Sequence, residues 1–274
     1  MARGILVFTT LFLLVTGASA LALEGESGFD PSVLRIAEDD YLGKEAADIR
    51  MQDQEGKSLR LSDLRGKPLV ISLVYFVCPH TCKPLNEGLG EALARTGMEI
   101  GKDFRLLTLS FNGKETGDDA RAFRADLKAK LHQPDALPAG FDNWIFATAS
   151  EEDIKKLTGS VGYRFFYSRE DRAYVHPNVS IFLSPDGRIM RYIFGIKPDA
   201  FDLKMAALEA SKGKTGKLPL SSLVTLACYK YDPQTRGYII NLPAIFMSMG
   251  GFMACMTGLI SIVVYRKKRL LQKK

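Results

Sequence analysis

Residues that bind metals through nitrogen or sulfur are scarce in this sequence, which has three histidines and four cysteines among its 274 residues. Only two cysteines, Cys78 and Cys82, lie near one another in the sequence. A structural zinc site normally takes four protein ligands, and no obvious fourth ligand accompanies this pair. The scarcity disfavours a structural zinc site and directs attention to a site with two or three ligands.

The sequence also lacks low-complexity tracts, internal repeats and any basic patch interleaved with aromatic residues. Its net charge is +6, but six positive residues lie in the segment 266–274 alone. The basic pI therefore reflects one short tail and gives no support for nucleic-acid binding. A content of 46% hydrophobic and 25% charged residues is typical of a folded globular protein.

The first twenty residues have the pattern of a secretory signal peptide. Arg3 supplies the positive charge, Ile5 to Val15 form an apolar stretch, and Ala18-Ser19-Ala20 is a small-residue cleavage motif. We therefore predict a signal peptide over 1–20 and an exported domain after it. An uncleaved membrane anchor is the competing interpretation.

Charged residues are absent from Tyr238 to Tyr265, a stretch long enough to cross a bilayer as a helix. The basic tail at 266–274 follows directly, and positive flanks stay on the cytoplasmic side. The two ends of the chain therefore predict the same topology. We expect a single-pass protein of the bacterial inner membrane, with a transmembrane helix over 238–265, its main domain in the periplasm and its C-terminus in the cytoplasm.

The segment between these ends alternates strand and helix signals in the order βαβαβαββα, which favours a thioredoxin-like α/β fold with a central mixed sheet flanked by helices. The apolar run Leu69 to Phe76 predicts a central strand buried on both faces. Ser184-Pro185-Asp186-Gly187 predicts the turn of a hairpin. We place this domain at 45–217, after a lead-in at 21–44 and before a juxtamembrane linker at 218–237.

Cys78 and Cys82 lie where the predicted central strand ends and a helix predicted from Pro84 begins. Amide groups at a helix N-terminus carry partial positive charge, so we expect them to lower the pKa of a thiol there. Thiolates bind soft metals, and Cu(I) is the ion that they suit best. A structural disulfide between these cysteines is the alternative, since the domain is predicted to be exported.

Of the three histidines, His176 directly precedes the predicted strand that starts at Val179. In a thioredoxin-type sheet, the loop that enters this strand faces the cysteine loop, which makes His176 the natural third ligand. His80 lies between the cysteines and is a candidate for tuning them, while His132 is expected at a solvated helix end. A purely structural His176 is the alternative interpretation.

An ordered set of motifs is similar to the Sco/SenC family of copper chaperones for cytochrome c oxidase, over about Asp48 to Lys217. The matching elements are the strand with Cys78-x-x-x-Cys82, Trp144, Val161-Gly162-Tyr163, Tyr174-Val175-His176, Ser184–Arg188, Arg191–Gly195 and Glu209–Lys214. The resemblance implies a thioredoxin-like fold and copper, as Cu(I) or Cu(II), bound by two cysteines and one histidine. It also implies copper delivery to the oxidase copper site, or reduction of the thiols there. Most members are anchored at the N-terminus, whereas the anchor predicted here is C-terminal.

Two functions remain open at this point. The first is a copper-binding assembly factor in which Cys78, Cys82 and His176 hold the metal, with an oxidase subunit or another respiratory assembly factor as its partner. The second is a membrane-anchored thiol-disulfide oxidoreductase, in which Cys78 and Cys82 cycle through a disulfide and His176 is not essential. The threonine and arginine arrangement of a peroxidase site is not evident, which disfavours peroxidase activity.

Overall fold

The computed structural model of the chain describes residues 35–78, 82–131, 136–170, 172–212 and 220–271. Eleven strands are found within these ranges: β1 (Arg50–Asp53), β2 (Ser58–Arg60), β3 (Leu69–Val74), β4 (Arg105–Ser110), β5 (Trp144–Thr148), β6 (Phe166–Ser168), β7 (Ala173–Val175), β8 (Val179–Leu183), β9 (Ile189–Phe194), β10 (Tyr229–Asp232) and β11 (Gly237–Ile240). The helices are α1 (Cys82–Ala94), α2 (Gly117–Leu131), α3 (Glu151–Ser160), α4 (Ala200–Ala210), α5 (Leu220–Cys228) and α6 (Leu242–Leu271).

A seven-stranded mixed sheet forms the core, in the order β2-β1-β5-β4-β3-β8-β9. Its central strand β3 is buried at all six positions, as the apolar run Leu69 to Phe76 predicts. Strand β3 pairs in parallel with β4 and antiparallel with β8. The predicted α/β class with a central mixed sheet is confirmed.

The predicted helix after the cysteines begins two residues earlier than expected, at Cys82 rather than Pro84. Proline fits the first turn of a helix because the amide groups there have no intrahelical acceptor. Pro84 therefore lies inside the first turn of α1. As a result Cys82 belongs to the helix itself.

Two helix starts and one turn follow the sequence signals closely. The hydroxyl of Ser150 accepts from the amide of Asp153 at the start of α3, and Asp199 caps α4 through the amides of Phe201 and Asp202. The turn between β8 and β9 uses Gly187 with a φ of 89°, in the region that favours glycine. These caps and the turn fix the ends of the elements that carry the site.

The segment 218–237, which is predicted as a juxtamembrane linker, contains regular secondary structure within its described residues. Within it the structure has α5, strand β10 and the start of β11, which pairs with β10 as a hairpin. The hairpin docks on α4, where the amide of Tyr238 donates to Asp202 and its hydroxyl donates to Glu209. This packing joins the hairpin to the core. No local sequence rule predicts the packing. A second short hairpin, β6–β7, was also missed.

The helix predicted over 238–265 begins later than expected, because 238–240 belong to β11 and α6 starts at Leu242. Among the residues with described positions, no helix combines the length and the hydropathy that crossing a membrane requires. The predicted signal peptide at 1–20 and most of the lead-in lie outside the described residues.

Candidate metal centre

The two cysteines lie at the C-terminal end of β3, as the sequence predicts. The strand ends at Val74, a turn follows through Val77, and Cys82 is the first residue of α1. Neither cysteine takes part in a disulfide and both are buried, with 7% of Cys78 and none of Cys82 exposed. The structural disulfide is therefore not formed in this structure.

His176 reaches the same end of β3 through the pairing of β3 with β8. Ser72 pairs with Ser180 in this antiparallel register, so residues just before β8 lie beside the last residues of β3. His176 lies three residues before the first residue of β8, Val179. Its Nε2 atom is 3.5 Å from Sγ of Cys82. The expected proximity of the two loops is thus present in the structure.

The hydrogen bonds of His176 define its tautomer. Nδ1 lies 3.2 Å from the carbonyl oxygen of Pro177, and because a carbonyl only accepts, Nδ1 carries the proton and donates it. Burial lowers the pKa of His176, which favours the neutral ring. The lone pair on Nε2 therefore faces the Cys82 sulfur, in the arrangement that metal-binding histidines adopt.

The expectation of a lowered thiol pKa is wrong for Cys82. Burial raises the pKa of Cys82 well above its ordinary value, and a hydrogen bond that the Cys82 thiol donates to Cys78 and the charge of Glu115 act in the same direction. Desolvation disfavours the charged form of a buried group, and it is the largest cause of the shift here. Cys82 therefore keeps its proton until a bound cation replaces it.

A chain of buried polar groups holds the start of α1 in place. The indole of Trp144 donates to the hydroxyl of Thr108 at 2.9 Å, and that hydroxyl donates to Oδ1 of Asn86 at 2.9 Å. Nδ2 of Asn86 then donates to the carbonyl of Cys82 at 3.0 Å. The first turn of α1 is thereby tied to strands β4 and β5.

Glu115 is a residue of this site that the sequence analysis missed. It lies in the connection between β4 and α2, and its buried carboxylate accepts from the amides of Phe76 and Val77 at 2.7 and 2.8 Å. These amides directly precede Cys78. An acidic residue in the loop after a buried strand was the available signal, but nothing local identifies its partners.

Aromatic rings enclose the imidazole of His176. The ring centroids of Phe111, Tyr163 and Tyr75 lie 5.1, 6.3 and 6.5 Å from that of His176. Burial raises the pKa of Tyr75, and its contact with Cys78 raises it further. On its open side His176 lines a groove of about 820 Å³, together with Pro177, Phe194 and Arg236 among others.

The complete predicted ligand set is not assembled in this structure. Among the described residues, no three histidine, cysteine or acidic side chains converge closely enough to hold a metal ion. Cys82 contacts both His176 and Cys78, so the three side chains are linked through it. The assignment of Cys78, Cys82 and His176 as metal ligands stays a prediction.

The remaining candidate residues lie elsewhere. His80 and His132 lie outside the described residues. Cys228 ends α5 and is half-buried, and Cys255 is exposed on α6, so both lie on elements that do not form the site.

No protein-family model matches the chain. Among curated proteins, the SCO1 protein homolog of Bacillus subtilis (strain 168) is 21% identical over 168 residues, which are 60% of this chain and 80% of that protein. A putative electron transfer protein from Aquifex aeolicus VF5 shares the fold at a TM-score of 0.55 and 28% identity, over 63% of this chain and 96% of the other. Arabidopsis thaliana ScoI, solved with copper bound, shares it at a TM-score of 0.50 and 17% identity, over 62% of this chain and 99% of the other.

Proposed function

We infer that this chain is a member of the Sco family, and we propose that it binds copper through Cys78, Cys82 and His176 and passes it to a partner protein. The inference rests on the curated relative and on the fold. The observation that carries the proposal is the distance of 3.5 Å between Cys82 Sγ and His176 Nε2, with the histidine lone pair turned towards the sulfur.

The donor atoms suit copper, which is here the cargo and not a resident cofactor. Two thiolates favour Cu(I), and an imidazole accommodates both oxidation states. The neutral tautomer of His176 needs to lose no proton when its Nε2 binds a metal. The cysteines do lose protons on binding, so the bound cation offsets the cost of forming a thiolate in a buried position.

Release of the cargo requires that a partner reach the metal. A set of three ligands leaves room for an incoming thiolate or imidazole, and the groove beside His176 gives access from one side. We propose that ligand exchange takes place there. The partner implied by the family resemblance is a copper-accepting subunit of a cytochrome c oxidase, or another respiratory assembly factor.

One observation favours a thiol-disulfide oxidoreductase as a second candidate, namely that the thiols of Cys78 and Cys82 are hydrogen-bonded to each other and so lie close together. In that reaction the two cysteines give two electrons and two protons to a client disulfide, which becomes two thiols. The raised pKa of Cys82 disfavours the thiolate that the reaction needs. We therefore rank copper binding first.

We also propose that the domain works outside the cytoplasm and is attached to a membrane through its C-terminal segment. The proposal rests on the signal pattern at 1–20 and on the exposed apolar side chains of α6, among them Phe246, Met253 and Ile260. Cell fractionation with and without residues 242–274 tests it. Recovery of the full chain in the soluble cytoplasmic fraction would contradict it.

Copper stoichiometry of the full-length chain, reduced and loaded without oxygen, tests the main proposal. We expect one tightly held copper per chain, lost or strongly weakened in Cys82→Ser and His176→Ala. Cys228→Ser and His132→Ala are the matched controls and should bind as the wild type does. A wild type that holds no copper but cycles readily between Cys78–Cys82 dithiol and disulfide would favour the oxidoreductase.

A further inference from the structure

We propose that Glu115 is a positioning residue of the copper site, whose carboxylate fixes the backbone before Cys78 and so holds the Cys78 thiol beside Cys82. The inference rests on the proposed copper function for its role, but its geometry is independent of any metal. Neither the family resemblance nor the sequence motifs described above include Glu115.

The backbone before Cys78 has left the sheet and needs other acceptors. At the ends of β3 and β4, the last backbone hydrogen bond joins the amide of Phe111 to the carbonyl of Val74 at 2.8 Å. The amides of Phe76 and Val77 lie beyond it, where no strand pairs with them. Phe76 is buried, and a buried amide without an acceptor is costly, so a partner is required at this point.

Glu115 supplies both acceptors from one side chain. Oε2 accepts from the amide of Phe76 and Oε1 from the amide of Val77, so one carboxylate binds two successive amides. Bonds to a charged acceptor are roughly twice as strong as neutral ones. The carboxylate therefore fixes both the position and the orientation of the residue pair that leads into Cys78.

The carboxylate is itself fixed to the end of β4. The hydroxyl of Ser110 donates to Oε2 at 2.6 Å and accepts from the amide of Asn112 at 3.0 Å. Glu115 is only 8% exposed, and no Lys, Arg or His among the described residues forms an ion pair with it. Its three hydrogen bonds are what compensate for burying the charge.

The position of Cys78 thus depends on a residue from another part of the chain. Cys82 is held by its helix and by Asn86, whereas the turn that carries Cys78 is held through Glu115. Outer groups that orient metal ligands typically change metal affinity by about 10- to 100-fold when they are mutated. We expect Glu115 to have an effect of this size.

The test compares Glu115→Gln with the wild type in the full-length chain. Glutamine keeps the shape of the glutamate side chain but has only one oxygen. Its NH2 group would therefore face the amide of Phe76 or Val77, which is also a donor. We expect Cu(I) to pass to an excess of a Cu(I) chelator about 10- to 100-fold faster. In the metal-free protein we expect iodoacetamide to alkylate Cys78 faster, because the turn is released.

Gln54→Ala is the matched control for a general loss of stability. Gln54 is also buried, and its side-chain oxygen accepts from the amide of Phe146 at 2.8 Å, between strands that do not carry the cysteines. It should lower the free energy of unfolding while copper release and Cys78 alkylation stay as in the wild type. If Gln54→Ala and Glu115→Gln changed copper release and Cys78 alkylation equally, the inference would be overturned. A Glu115→Gln protein with the copper release and alkylation of the wild type would also overturn it.

Two further measurements keep the outcomes distinct. If Glu115→Gln does not fold, Glu115→Asp keeps the charge with a shorter reach and should show a smaller increase in alkylation; an unchanged rate would contradict the inference. If the wild type holds no copper, the proposed function fails, while the alkylation of metal-free Cys78 still decides the role of Glu115.

Discussion

A side chain at Gly88 would overlap the backbone carbonyl oxygen of Ile196, so α1 packs directly against the backbone of the segment after β9. The Cβ position would also lie 3.1 Å from the carbonyl carbon of Ile196 and 3.2 Å from Cα of Lys197. Backbone atoms at these distances leave no room for a methyl group. Because Cys82 is the first residue of α1, a shift of the helix at this contact would also move the cysteine.

We expect Gly88→Ala to lower the free energy of unfolding by about 1–3 kcal/mol, the range for overpacking, and to weaken copper binding because α1 must shift. Gly159→Ala is the control, since it also places alanine in a helix but has open space around its Cβ. That variant should be neutral or slightly stabilising. Denaturant unfolding measures the stability of the two variants, and copper titration measures their affinity for copper. Equal stability and equal copper affinity in the two variants would contradict this expectation.

The polar chain beneath the site should behave as one unit. Asn86→Ala leaves the hydroxyl of Thr108 and the carbonyl of Cys82 without their partner, at a cost of about 1–3 kcal/mol. In a double-mutant cycle with Thr108→Val, the two losses should differ from additivity by about 0.5–3 kcal/mol. Strictly additive losses would show that Asn86 and Thr108 do not act together.

Besides Asp202, the half-buried carboxylate of Glu209 holds the β10–β11 hairpin to the core. Glu209 pairs with Arg191 through two bonds of 2.6 and 3.0 Å and accepts from the hydroxyl of Tyr238, while Arg191 lies over the ring of Tyr231 at 4.1 Å. Tyr238→Phe leaves the ion pair intact, whereas Glu209→Gln breaks it.

We therefore expect Glu209→Gln to destabilise the hairpin more than Tyr238→Phe does. Hydrogen exchange of the backbone amides in 229–240 measures this directly. Exchange that is unchanged in Glu209→Gln would mean that the ion pair does not hold the hairpin.

The core of the fold was predictable from the sequence because its signals are local. The apolar run of β3 and the turn at Gly187 each predict an element without reference to the rest of the chain. The β10–β11 hairpin was missed although Pro233 and Gly237 between aromatic residues were available as turn signals. Its contacts with the core depend on Asp202 and Glu209, which lie on a different element, α4.

The proximity of His176 and Cys82 was predictable from the sequence, but the electrostatics of Cys82 were not. The order of strands brings His176 to Cys82, and a thioredoxin-type topology was sufficient to expect this. The raised pKa of Cys82 was not foreseen, because it depends on complete burial and on the charge of Glu115. Such effects arise from packing between distant parts of the chain.

The free energy of unfolding should depend on pH through Asp48, which lies just before β1. Burial raises the pKa of Asp48, but hydrogen bonds from the Ser62 amide and the Arg60 side chain outweigh it and leave the pKa below its ordinary value. A lowered pKa in the folded state contributes stability above the unfolded value, about 3.9, and this stability is lost as pH falls through the folded value.

The difference in unfolding free energy between the wild type and Asp48→Asn should thus be constant near neutral pH and shrink below about pH 4. Denaturant unfolding at a series of pH values measures it. A difference that does not change with pH would contradict the assignment.

X-ray absorption at the copper edge of the Cu(I)-loaded, full-length chain tests the central claim most directly, because it identifies the atoms bound to the metal. The account predicts two sulfur neighbours at the distance of thiolates and one nitrogen neighbour from an imidazole, with the nitrogen lost in His176→Ala. A first shell with sulfur alone in the wild type, or one unchanged in His176→Ala, would contradict the assignment of His176 as the third ligand.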